Sequence, residues 1–172
     1  MHPRQQGVTL IELLIVIALL AIVAQVALPA WQTFIAKNRS LALQHSVERA
    51  VQLARAQAIT RRVSIELCGS SNGISCSSNW SGGWLMRAQP ANKQPEPPSH
   101  VTELDSRHLS LQWAGFRSHI VFHATGYSTA SNGRFFVCRD QAIDWQLILN
   151  RQGRLRRATT QENREQDQRC AG

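Results

Sequence analysis

The chain has none of the short motifs that announce catalysis: no G-x-S-x-G, no H-E-x-x-H and no glycine-rich phosphate loop. Its six histidines are scattered, and His123 falls in a strand pattern where a packed or surface histidine is the ordinary reading. No C-x-x-C pair occurs, and no histidine stands at metal-finger distance from a cysteine pair, which argues against zinc. No metal, no cofactor and no enzymatic activity are expected, which leaves assembly or binding. Acids are scarce as well: Asp+Glu 11 against Lys+Arg 19 gives a formal net charge of +8. With a pI near 10.6 the surface stays cationic at physiological pH. Polyanions and anionic lipid heads become candidate partners, with simple solubility as the plain alternative.

At 172 residues the chain has room for one compact domain and an appendage. The hydrophobic fraction of 43% is ordinary, but much of it sits in the first thirty positions. The remainder has a poorer supply of apolar residues, which fits a modest, sheet-rich head. Cys68, Cys76, Cys138 and Cys170 are even in number and lie outside the apolar segment, the pattern of an exported domain with two disulfides. Three pairings are possible. Cys68 with Cys76 closes a small Gly/Ser/Asn loop and Cys138 with Cys170 ties down the tail, and that pairing is the favoured one.

From Val8 to Leu28 the chain is almost wholly apolar, about 30 Å of helix and enough to cross a bilayer. His2 and Arg4 precede it, so the positive side is expected to stay cytoplasmic and the head to be exported. No small-residue cleavage site follows the run; it leads straight into Pro29 and Trp31, with Pro29 expected to kink or locally melt the helix. Glu12 is the anomaly. An ionised acid inside such a stretch costs about 2.5 to 3.5 kcal/mol, so a partner for it is expected.

Gly7-Val8-Thr9-Leu10-Ile11-Glu12-Leu13-Leu14 resembles the processing site of type IV prepilins and type II secretion pseudopilins. That resemblance implies a prepilin peptidase cutting after Gly7 and methylating the new amino terminus at Val8. Val8 departs from the family's usual Phe. Glu12 matches the family's acidic residue, whose carboxylate can neutralise the terminal ammonium of a neighbouring pilin so that neither charge stays bare. The plain alternative is a single-span anchor with Glu12 snorkelling at the interface.

Past Pro29, Leu43, Val47, Ala50, Val51, Ala54 and Ala58 recur at helical spacing. Arg39, His45, Glu48, Arg49, Arg55 and Arg61 fall between them and read as solvated, Glu48 making surface contacts with Gln52 or Arg55. The period then changes to two in Val63–Leu67, a strand ending at Cys68 before the loop 69–81. Further strands are expected near Gly83–Arg87, Leu109–Trp113, His119–His123, Arg134–Cys138 and Trp145–Leu149, with turns at Gly126, Asn132-Gly133 and Gln152-Gly153. Proline-rich Gln89–Ser99 reads as an exposed loop. The expected fold is α+β: a long amino-terminal helix, half transmembrane and half amphipathic, packed on antiparallel sheets of a small pilin-like head. Its segments are a leader at 1–7, a transmembrane and assembly helix at 8–30, an amphipathic helix at 31–62, a β-rich head at 63–157, and a disulfide-tethered tail at 158–172.

Leu53-Ala54-Arg55-Ala56-Gln57-Ala58-Ile59, the strand ending in Cys68, Gly83-Trp84 and Gly153-Arg154-Leu155-Arg156 together resemble the FimT/GspH group of minor pilins and pseudopilins. That group implies a single-pass inner-membrane protein with a periplasmic head, later assembled with major and minor pilins into a cell-surface pilus. Arg151, Arg154, Arg156 and Arg157 lie within seven positions around Gly153. Arginine's planar fork matches phosphate bidentately. The stretch from Gly153 to Arg156 also matches a G-R-x-R element that FimT-type minor pilins use to bind DNA during natural transformation, which implies double-stranded DNA as partner. No aromatics interleave the segment, so contact through phosphate with little sequence preference is expected. The alternatives are a solvated arginine edge paired with Glu162, Glu165 and Asp167, and a pseudopilin that primes a type II secretion filament.

Overall fold

The structure, a computed structural model, describes residues 9–89, 94–105 and 109–171. The chain falls into two compact units, Met1–Leu41 and Ala42–Gly172. Helix α1, Leu10–Arg61, begins in the first and ends in the second. The Thr9 hydroxyl accepts the Glu12 backbone N–H at 3.3 Å and so caps its first turn. Large apolar side chains from Leu10 to Leu28 are 47–76% exposed, and the best window reaches a mean hydropathy of 2.8. The helix is long and apolar enough to cross a membrane, where internal hydrogen bonding makes a helix the natural form. Pro29 does not interrupt it; the Thr33 hydroxyl donates to the Pro29 carbonyl at 3.0 Å.

In the second unit the helical spacing has its expected consequence. Leu43, Val47, Ala50, Val51, Ala54 and Ala58 are all buried, and they join one core with Ile65, Met86, Phe122, Phe135, Leu147 and others. Alanines at every fourth position leave the helix backbone close to that core.

Two antiparallel four-stranded sheets complete the head. The first contains β1 (Ser64–Gly69), β2 (Gly83–Gln89), β3 (His100–Glu103) and β5 (His119–Phe122), in the order β3-β2-β1-β5. The second contains β4 (Leu111–Gly115), β6 (Gly133–Arg139), β7 (Ala142–Leu149) and β8 (Leu155–Arg157), in the order β4-β6-β7-β8. A short helix α2 (Thr160–Arg164) and a 3-10 turn (Asp167–Cys170) follow. Trp80, Trp113 and Phe135 pack as an aromatic cluster, with Phe135 centroids 4.9 Å from Trp80 and 4.6 Å from Trp113.

Several elements differ from the expected ones. β3 and β8 were not anticipated: the first is four residues long and largely exposed, the second three residues carrying two arginines, so neither shows apolar alternation. The fourth strand is displaced to Leu111–Gly115, and Gly133 opens β6 rather than closing a turn. The tail holds α2, capped by Thr159 and Glu162, which donate and accept reciprocally in a capping box. Part of the proline-rich loop, 90–93, lies outside the described residues; Glu96 beyond it pairs with Arg61 at 2.9 Å. Disulfides join Cys68 to Cys76 and Cys138 to Cys170.

Candidate functional site: an arginine-bearing turn

The turn between β7 and β8 is built by Asn150 and Gly153. Gly153 donates its N–H to the Asn150 carbonyl at 3.0 Å, and the Asn150 side chain accepts the Arg154 N–H at 2.9 Å. Gly153 has φ +72, a region that favours glycine, and an added Cβ would lie 2.5 Å from the Gly126 carbonyl oxygen and 3.1 Å from the Phe122 ring. Residue 153 is thus fixed as glycine by backbone conformation and by space. The turn is also pinned to the neighbouring loop, because Ser128 donates its N–H to the Arg151 carbonyl at 3.0 Å. Arg55 donates to Gly126 in that loop at 3.1 Å, so it is not simply a solvated helix arginine.

The four arginines do not form one cluster. Register places Arg156 opposite Ile148 and Arg157 opposite Leu147, and strand alternation sends the two to opposite faces. Arg156 donates from Nη1 and Nη2 to the two Glu162 carboxylate oxygens at 2.9 and 2.6 Å. Arg157 donates from Nε and Nη2 to Glu48 at 2.6 and 2.9 Å and lies 3.3 Å from His45 Nδ1. Glu48 therefore serves Arg157 rather than Gln52 or Arg55. Arg151 and Arg154 sit on the exposed turn with no ion pair among the described residues.

Protonation equilibria follow this geometry. Hydrogen bonds from Arg156, then the Thr159 backbone N–H, hold the Glu162 carboxyl down to about 2. The Arg157 hydrogen bond lowers Glu48 against the opposing effect of burial. Both guanidinium groups are held above their ordinary value by their carboxylates. Among the downstream acids, Glu162 is a partner, as the alternative of a paired arginine edge had it, whereas Asp167 accepts the Ile143 backbone N–H at 2.7 Å.

Other clusters offer less chemistry. Glu66, Cys68 and Cys76 lie close together, but both sulfurs are in a disulfide and neither remains as a thiolate for a metal. Glu66 instead pairs with Arg87 at 2.7 Å and approaches His119 at 4.0 Å. A cleft of about 620 Å³ gathers His119, His123, Thr129 and Ser131. Its Ser131 hydroxyl is buried and accepts the Val121 N–H at 3.0 Å. At the amino terminus, Gly7 and Val8 lie outside the described residues. Glu12 stands in the first turn of α1, with no ion pair among the described residues.

Comparison with known proteins agrees with this architecture. Residues 44–153 match the family described as type II transport protein GspH, and residues 2–25 match the prokaryotic N-terminal methylation motif. No curated protein matches the chain. Two crystal structures of the Pseudomonas aeruginosa (strain PAO1) type IV minor pilin FimU share the fold. The P21 form superposes with a TM-score of 0.59 at 16% identity, covering 74% of this chain and 94% of that one. The P65 form gives 0.53 at 18% identity, covering 68% and 90%. The family match stops at Gly153, so Arg154, Arg156 and Arg157 fall beyond it. With that match running from the helix through strands β1 to β7 to the turn, and a methylation motif ahead of it, the chain belongs to the GspH family of pilin-like proteins.

Proposed function

We propose that this protein is a minor pilin of a type IV pilus that binds DNA through the β7–β8 turn during uptake. In this reading the prepilin peptidase cuts after Gly7 and methylates Val8, and α1 holds the chain as a single span in the inner membrane with the head in the periplasm. Glu12 then meets the amino terminus of a neighbouring pilin as the filament forms, so that two charges are buried together rather than singly. The methylation motif and the exposed apolar stretch of α1 support the membrane-anchored part of the reading.

The observation that carries DNA binding is the pair of exposed, acid-free arginines on a turn fixed by Gly153. Arg151 and Arg154 are the phosphate contacts. Arg156 and Arg157 hold β8 to Glu162 and Glu48 and reach DNA only by exchanging a carboxylate for a phosphate. Duplex DNA titrated into the full chain in nonionic detergent is expected to shift at low salt, with a log–log salt slope of about −2 from two free arginines. Arg151→Gln with Arg154→Gln is expected to abolish the shift. Undiminished binding by that variant, or a flat salt response, would overturn the assignment. The second reading, a pseudopilin priming a type II secretion filament, is favoured by the description of the matched family, and it expects no DNA binding at all.

A further inference from the structure

The outer face of the second sheet carries a cleft of about 570 Å³, within the range of about 300–1,000 Å³ typical of small-ligand sites. Phe116, Asn132, Arg134, Ile148 and Arg169 contribute to its lining. It shares a strand with the arginine turn: Leu149, also in its lining, pairs with Gly133 on one side and Leu155 on the other, one residue before Asn150.

Its charge is one-sided. Arg134 is opposite Ile148, and Ile148 is opposite Arg156, so both arginines project from the same face with Ile148 between them. Arg169 arrives from the 3-10 turn, tethered by the Cys138–Cys170 disulfide. Burial first, then repulsion from Arg169 and Arg156, lowers the Arg134 pKa; Glu162 opposes that shift while bound to Arg156. Arg134 donates to the Gln146 amide oxygen at 3.1 Å and Arg169 to that of Gln166 at 2.7 Å. Neutral amides thus orient both guanidinium groups without neutralising them, and their remaining donors stay available. An anion is the natural complement.

The cleft also has an aromatic wall. Phe116, 79% exposed, follows β4, where its backbone N–H bonds to the Asn132 carbonyl at 3.2 Å. A ring this exposed gains nothing from the core but presents a π face to whatever enters. Bases in a duplex are already stacked on both faces, whereas an unpaired base is free to stack on an aromatic side chain.

We propose that this cleft holds one unpaired nucleotide of a single-stranded segment, with its phosphate on Arg134 and Arg169 and its base against Phe116. The inference rests on the reading of the Gly153 turn as a DNA contact, and adds to it a preference for frayed or single-stranded DNA. Duplex is held at the turn; a loose end is held in the cleft beside it.

The test is fluorescence anisotropy of the full chain in nonionic detergent, with a labelled oligothymidylate and a labelled duplex of equal length. Phe116→Ala is expected to weaken oligothymidylate binding on the order of tenfold and duplex binding by less than about twofold, and Phe116→Tyr to restore it. Arg169→Gln is expected to weaken the single strand more than the duplex. Thermal unfolding of each variant serves as the folding control. Loss of duplex binding in the Arg151→Gln, Arg154→Gln variant, with both probes indifferent to Phe116→Ala, would overturn the cleft and leave the turn standing. Binding of neither probe by the unaltered chain would remove the turn reading and the cleft with it. If Phe116→Ala instead weakened association with purified partner pilins and left oligonucleotides unaffected, the cleft would be a protein-docking surface and the nucleotide assignment would fall.

Discussion

Arg156 and Arg157 adjoin in sequence yet hold carboxylates from opposite ends of the head, Glu162 six positions on and Glu48 109 positions back. Strand alternation produces this split, and it makes the acids as informative as the arginines. Glu162→Gln removes the charge that holds Arg156 and is expected to tighten duplex binding and steepen the salt slope by about 0.9, as one more arginine becomes available. Unchanged binding and an unchanged slope in that variant would mean that Arg156 contacts nothing when released. The pH dependence has a definite sign. Glu162 is depressed from 4.5 to about 2, so its pairing stabilises the folded tail fully above pH 4.5 and is lost as pH falls toward about 2. Protection of the α2 amides, taken relative to their intrinsic exchange rate at each pH, is expected to hold at pH 5 and to fall below pH 3; a loss centred near neutrality would contradict the pairing. The arginine segment and its downstream partner Glu162 were legible in the sequence. Glu48 was not, because its contact with Arg157 exists only after β8 has joined the sheet.

Among the elements, α1 was the most legible, because its buried positions repeat at a spacing that sequence displays directly. Strands whose sequence alternates apolar and polar residues, such as Ile65-Glu66-Leu67, were legible for the same reason, although Glu66 is buried with its neighbours. Short edge strands were hidden. Both strands of the β6–β7 hairpin were expected, but its turn was hidden: it passes through Asp140 and Gln141, at φ 50 and 63, left-handed positions with no glycine to signal them. A disulfide tether and a capping box join the Arg156–Glu162 pair and the Asp167 contact with Ile143 in holding the tail. Cys170→Ser, opening a 32-residue separation, is expected to cost up to about 4 kcal/mol, against about 2.5 kcal/mol for Cys76→Ser at a separation of eight. Urea unfolding compares the two, and limited proteolysis is expected to cut the Cys170→Ser chain first within 159–171. Equal losses, or a tail that stays resistant, would argue that packing rather than the tether orders it. On the helix, fully buried Ala54 replaced by Leu overpacks the core and is expected to cost about 1–3 kcal/mol by the same urea measurement.

At the scale of the molecule, two units divide the work. The first exposes an apolar helix interrupted by one acid; the second buries its own core and carries two disulfides. A helix long and apolar enough to cross a membrane was legible in the apolar run, and the structure leaves that run uncovered. The outer cleft was not, because Phe116, Arg134 and Arg169 are 18 and 35 positions apart in the chain and meet only across the sheet. In the proposed function the chain becomes a filament subunit, with Glu12 needed for that step. The most direct measurement is to shear surface filaments from cells producing the protein and probe the filament and membrane fractions for it, with the native chain and with Glu12→Ala. The native protein is expected in sheared filaments and the variant in the membrane fraction alone; a native protein found only in membranes, or a variant that still enters filaments, would contradict the claim.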